Sequence, residues 1–248
     1  VLKYVRASDA SGAGWGSPIT VDSASDVGWC PALATVNGNP AVSYYDCTNQ
    51  DLKYVRASDA SGAGWGKAVT VDSAGYVGWF TSLAVVNGNP AISYYDNTND
   101  NLKYVRANDA DGESWGAPLT VDSAGDVGWY SSLKVVNGTP AISYYDFTNG
   151  DLKYVRAGDA QGSSWGTPVT VDSTGDVGAF TSLAVVKGNA AISYYDVSNA
   201  DLKYVRASDV DGKSWGLPVT VDSAGDVGRF SSLAGVNGKP AICYYDVT

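Results

Sequence analysis

At steps of fifty residues one position reads Trp29, Trp79, Trp129, Ala179 and Arg229. Three residues earlier stand Asp26, Tyr76, Asp126, Asp176 and Asp226. A packed core site does not usually tolerate exchanging a large ring for a small or charged side chain, so this position is expected to be exposed. An exposed indole beside carboxylates and amides is chemistry suited to sugars: the ring face stacks while the acceptors take hydroxyls. Trp29, Trp79, Trp129, Tyr76, Arg229 and Asp126 are therefore the candidate ligand-binding residues. The plainer alternative is a handful of solvent-exposed aromatics with no ligand.

Other chemistries are narrowed by composition. Histidine is absent from the 248 residues, which removes the commonest general base and the commonest transition-metal ligand together. Ser-His-Asp and Cys-His mechanisms and His-ligated zinc are excluded with it. The stretch Asp46-x-Thr48-Asn49-x-Asp51 offers oxygen ligands at short spacing, as calcium prefers, but an Asx-turned hairpin explains it equally well. No metal or cofactor is expected. Arg6, Arg56, Arg106, Arg156 and Arg206 recur once per repeat, which favours ion pairs to Asp9 or to an Asp of a neighbouring repeat.

A net charge of −10 and a pI near 4.3 argue against nucleic acid or an anionic membrane as partner. No apolar run approaches the roughly 20 residues of a membrane span. Only one of the 26 acidic residues is glutamate, Glu113. The chain opens on Val1 and has no methionine, so a processed product or a segment of something longer is expected.

The elements that must position these residues repeat with them. The chain divides into five near-copies (1–50, 51–100, 101–150, 151–200, 201–248), expected to form a single domain. A fifty-residue period with a turn signal about every ten residues reads as a propeller blade of four short strands. SLAVV-type runs are expected innermost, AISYYD-type second, LKYVRA-type third and PVTVDS-type outermost. Asn37-Gly38 marks a hairpin, because both residues accept positive φ. No helical periodicity is present. Tyr44 and Tyr45 fall on opposite faces of one strand, and both are expected between blades. The fold class is thus all-β, a five-bladed propeller. Its N-terminal third and fourth strands are expected to clasp its C-terminal first and second strands, leaving no edge exposed.

The stretch SDASGAGW, residues 8–15, returns in all five copies. It resembles the Asp-box of sialidase-type propellers: Ser8, Gly12 and Trp15 match the spacing, whereas Asp9 sits one residue early. Asn108 and Gly158 replace the leading Ser. The resemblance implies that the motif lies in the hairpin between third and fourth strands. Apart from it, Asp side chains bond nearby backbone N–H groups, Gly12 supplies an unusual φ, and Trp15, Trp65, Trp115, Trp165 and Trp215 are expected to fold back as buried plugs. A hydrolase of that family also implies converging arginines, a Tyr nucleophile with a Glu partner and an Asp acid. Here such residues recur blade by blade, whereas a catalytic constellation needs different residues at one point.

Cys30 and Cys47 flank a hairpin; a four-residue turn would set them opposite one another, a two-residue turn would make the pair diagonal, and a disulfide is expected. That bond would imply an oxidising, extracellular setting. Cys243 replaces a Ser and is expected to be a buried thiol. The expected function is a non-enzymatic, multivalent carbohydrate-binding module, lectin-like, with a glycan as partner. The alternatives are a structural or protein-binding repeat scaffold, engineered or recently amplified, and a sialidase-like glycoside hydrolase.

Overall fold

The computed structural model describes all 248 residues, and it contains only strands and turns. β3 (Val27–Val36), β4 (Asn39–Asp46), β5 (Asp51–Arg56) and β6 (Val69–Asp72) form one antiparallel sheet in that spatial order. The next three repeats build β7–β10 (77–122), β11–β14 (127–172) and β15–β18 (177–222) with the same order. These are four complete blades. The fifth is divided between β19 (Val227–Val236) with β20 (Lys239–Asp246), and β1 (Leu2–Tyr4) with β2 (Ile19–Asp22). The protein is a five-bladed β-propeller, with the strand order expected from the sequence.

Blades stack face to face, so both faces of each inner strand are covered and Tyr44 and Tyr45 are both buried. One core cluster joins Leu152 and Tyr154 of one blade to Val177, Leu183 and Tyr194 of the next. The second-strand tyrosines reach carboxylates on the neighbouring blade: Tyr144 donates to Asp122 at 2.6 Å and Tyr194 to Asp172 at 2.7 Å. Burial, reinforced by the adjacent carboxylates, pushes the Tyr94 and Tyr144 phenols well above their usual range. The repeated arginines do pair across blades, Arg56 with Asp111 at 3.2 Å and Arg156 with Asp211 at 3.0 Å. Arg6 instead donates to the carbonyl of Ala60.

Each inner strand carries a bulge. Trp29 pairs with Tyr45 and Ala32 with Ser43, so two residues on β3 oppose one on β4. The bulged residue takes a left-handed backbone at Cys30 (φ 48), Phe80 (51), Tyr130 (54), Phe180 (52) and Phe230 (51). Bulky side chains rarely adopt that region, and here it turns five of them towards the propeller axis.

Three expectations change. The clasp is not hydrogen-bonded: β1–β2 and β19–β20 stand as separate two-stranded sheets with unpaired facing edges. Leu33 and Phe230 are consequently 62% and 68% exposed, and Cys243 is exposed rather than buried. The Cys30–Cys47 disulfide is absent and all three thiols are free. Val36 pairs directly with Asn39 across a two-residue Asn37-Gly38 turn, and the bulge turns Cys30 away from Cys47, so the two never face each other. With that bond goes the argument for an oxidising setting. Finally, Trp65, Trp115, Trp165 and Trp215 are half-buried rather than buried, and Trp15 is 63% exposed. Each indole folds back on its own turn, as Trp65 Nε1 does on the Gly62 carbonyl at 2.9 Å. The four half-buried indoles, but not Trp15, then meet a tyrosine of the preceding blade edge-on, Tyr54 with Trp115 at 5.1 Å for example.

Candidate functional site

The bulged residues and the Trp29-type position share one end of the propeller. Cys30, Phe80, Tyr130, Phe180 and Phe230 form a collar round an axial cavity of about 340 Å³, floored by Pro31, Thr81, Ser131, Thr181 and Ser231. Neighbouring rings of the collar lie 4.3–4.5 Å apart between centroids. The aromatic surface continues outward, since Phe80 also lies 5.4 Å from Trp129, which stacks on Phe147 at 5.2 Å.

Around this cup, three of the four formed joints between blades place a second-strand tyrosine against the carboxylate that opens the next inner strand. Tyr145 donates to Asp176 at 2.6 Å and Tyr195 to Asp226 at 2.7 Å. Beside the latter, Arg229 pairs with Asp226 at 2.8 Å and lies over the Tyr195 ring at 5.3 Å. At the joint after the first complete blade Tyr76 replaces the acid, and Trp79 leans on Tyr45 at 5.6 Å.

One joint is chemically unlike the rest. The Tyr95 hydroxyl lies 2.8 Å from Asp126 Oδ1 and 2.9 Å from Asp100 Oδ1, so a single phenolic proton is shared between two carboxylates. Trp129 Nε1 donates to the same Asp126 oxygen at 2.7 Å. Burial, and after it both carboxylates, push the Tyr95 phenol far above its usual range and keep it a donor. Asp100 sits on an exposed turn with left-handed backbone (φ 57), where the other complete copies have Gln50, Gly150 and Ala200.

The candidate residues Trp29, Trp79, Trp129, Tyr76, Arg229 and Asp126 lie at one end of the molecule, but the exposure expected for their position holds only in part. Trp29 and Tyr76 are exposed at 60% and 47%, as expected. Trp79, Trp129 and Arg229 are half-buried and Ala179 is buried, because the position packs against the tyrosine of the preceding blade. Tolerance of Ala and Arg there reflects a wedge at a joint, not a free surface. Tyr95 and Asp100 were not among the candidates. The signal for Asp100 was present in the variable loop endings, whereas Tyr95 is repeated in every copy and gives none. In the Asp46 loop both oxygens are taken by protein donors, the backbone of Thr48 and Asn49 and the Asn49 amide. A hollow of about 640 Å³ on the outer rim is lined by Tyr4, Arg6 and Asp9. Smaller versions of it recur at other joints, as at Tyr154 and Asp211, so it belongs to the repeating scaffold.

No protein-family model matches the chain. No curated protein sequence matches it either. Solved structures do. An exo-β-1,3-galactanase from Phanerochaete chrysosporium, with β-1,3-galactotriose, superposes with a TM-score of 0.59 at 12% identity, over 86% of this chain and 55% of that one. The chain thus spans about half the length of that relative. A thermostable family-43 glycoside hydrolase gives 0.58 at 13% identity over 88% and 83% of the two chains. The NanB sialidase of Streptococcus pneumoniae gives 0.56 at 13% identity over 79% and 33%. At these identities the likeness is one of fold, and it bears out a sialidase-like propeller architecture. It also corrects the expectation of a non-enzymatic, lectin-like module: the solved propellers that this chain resembles are glycoside hydrolases.

Proposed function

We propose that the protein is a glycoside hydrolase acting on a neutral glycan at the Asp100–Tyr95–Asp126 joint. The observation that carries this reading is the shared phenol. Two carboxylate oxygens 2.8 and 2.9 Å from one hydroxyl can be no more than about 6 Å apart, a range that includes the roughly 5–5.5 Å at which retaining glycosidases hold their acid and nucleophile. Asp126, oriented by Tyr95 and Trp129, suits the nucleophile, whose position must be fixed. Asp100, on the open turn, suits the acid that protonates the departing oxygen and then activates water. Trp129 and Phe147 supply a flat apolar wall for a sugar ring. No cation adjoins this pair; the basic side chain of the neighbouring cup, Arg229, is paired with Asp226. That favours an uncharged sugar.

Turnover of a panel of chromogenic neutral glycosides tests the reading. At least one is expected to be cleaved, with Asp100→Asn and Asp126→Asn each losing about a hundredfold or more. No cleavage across the panel, or full activity in both variants, overturns it. The Tyr195–Asp226–Arg229 cluster favours a second reading, an acidic sugar held by Arg229. Sialoside cleavage that disappears in Arg229→Ala would select it.

A further inference from the structure

We propose that the rim cleft formed by Asn87, Arg106 and Gln161 binds a small monocarboxylate with an apolar body. In the three joints between complete blades, the arginine that ends the third strand is held alike. Its Nε donates to a first-strand carbonyl and its Nη2 to the carbonyl of the hairpin turn. The acceptors are Val36 and Asn37 for Arg56, Val86 and Asn87 for Arg106, and Val136 and Asn137 for Arg156. Backbone thus fixes each guanidinium and leaves Nη1 to the next blade. In two of these joints an aspartate answers it. Asp111 Oδ1 lies 3.2 Å from Arg56 Nη1 and 2.8 Å from the Asn37 amide. Asp211 Oδ1 lies 3.0 Å from Arg156 Nη1 and 3.3 Å from the Asn137 amide. One carboxylate oxygen takes both donors.

The middle joint departs at a single residue. Gln161 stands where Asp111 and Asp211 stand in the other two. Its backbone keeps the shared position, since Tyr104 donates to its carbonyl at 2.8 Å as Tyr54 does to that of Asp111 at 3.1 Å. Its side chain is exposed and accepts from neither donor. Asp159 of the same turn spends both oxygens on the backbone N–H groups of Gln161, Ser163 and Ser164. Arg106 Nη1 and the Asn87 amide are therefore left without an acceptor from the protein, in a chain of net charge −10.

Beside these donors lies a hollow of about 240 Å³, whose walls include Tyr104, Ala117, Leu119 and Ser163. The related hollows at other joints contain Asp9, Asp211, or Asp111 with Glu113 in their lining. Of the four, this one carries a cation and no acid. A guanidinium fixed in place suits a carboxylate, which would lie where an aspartate lies elsewhere. Tyr104, Ala117 and Leu119 suit an apolar body rather than a polyol. The hollow is below the roughly 300 Å³ of pockets that take drug-sized ligands, which favours a small free acid over the end of a peptide. Arg106 and Asp100 lie at opposite ends of the third strand of their blade, β9 (Asn101–Arg106), so this site does not rest on the proposed activity.

Titration of isotope-labelled protein with benzoate at low salt, read by NMR at the Arg106 Nε–H signal, tests the proposal. Binding at one site with a dissociation constant of about 1–10 mM is expected, with uncharged benzamide giving no saturable shift. Gln161→Asp installs the acid that the sister joints already carry, so the fold is kept and benzoate binding should fall about tenfold or more. The converse substitution, Asp211→Gln, should create a second site, read as a benzoate-dependent shift of Arg156. A second site that fails to appear counts against the assignment of the donors. No saturable shift up to about 50 mM benzoate, or full binding in Gln161→Asp, overturns the proposal. Tighter binding of sulfate than of benzoate overturns the carboxylate class. Tighter binding of an N-acetylated leucine dipeptide overturns the free acid as the source.

Discussion

Trp129 Nε1 lies 2.7 Å from Asp126 Oδ1, so the indole at the wedge position holds the carboxylate of its own blade's first turn. Tyr95, from the preceding blade, reaches the same oxygen. The pair therefore ties the fold of a joint to the orientation of a candidate reacting group. Trp129→Phe should remove the hydrogen bond while keeping most of the packing. The expected result is a loss of about 0.5–1.5 kcal/mol in stability, with a larger fractional fall in kcat than in affinity for the glycoside. Urea titration together with steady-state kinetics checks both halves.

Tyr144→Phe should be disproportionately costly. The hydroxyl is the donor to Asp122 Oδ2, at 2.6 Å, and the carboxylate is buried. Stranding it is expected to cost about 1–3 kcal/mol. Asp122→Asn with Tyr144→Phe should be milder than the sum of the two changes, and a double-mutant cycle by chemical denaturation measures the difference.

Two glycines of one blade should respond differently to alanine. Gly128 has φ 105, and a Cβ there would lie 2.8 Å from the Leu102 Cα on the neighbouring blade. Gly138 has φ 80 in the hairpin turn and opens onto free space. Gly138→Ala is expected to cost about 1 kcal/mol from backbone strain alone. Gly128→Ala should cost more than about 3 kcal/mol, because blade must separate from blade. Comparative thermal melts decide between this and equal effects.

Acid should loosen the outer turns. Hydrogen bonds from Ser11 Oγ, then from the backbone of Gly14, Ser11 and Ala13, hold the Asp9 carboxyl at about 2, below its usual 3.8. A carboxyl depressed by folding stabilises fully above its unfolded value and loses that contribution as pH falls through its folded one. Melting temperature should therefore be insensitive to Asp9 above about pH 4 and fall as the pH drops towards 2. Asp9→Asn should show a shallower decline over that window, read by melts across a pH series.

The architecture was legible because its causes are local and repeated. Asn37-Gly38 specifies a two-residue hairpin, and alternating Tyr44 and Tyr45 announce a strand buried on both faces. The candidate site was legible only in part. Asp126 and Trp129 stood out because copies differ at their positions. Tyr95 is the same in all five copies, and nothing marks it until Asp100 is brought opposite Asp126. The failed disulfide has a similar cause. The bulge at Cys30 depends on a left-handed residue that no glycine or asparagine advertises, so register counted along the sequence drifts past it.

The turn closing each second-strand hairpin keeps one backbone shape under four different residues, Gln50, Asp100, Gly150 and Ala200, with φ between 57 and 69. Its conformation is imposed by the loop and asks little of the side chain. Such a place is a vacant socket in an otherwise symmetric wheel. A single exchange there can individualise one spoke without disturbing its neighbours, which is how a duplicated ring could acquire one distinctive working edge.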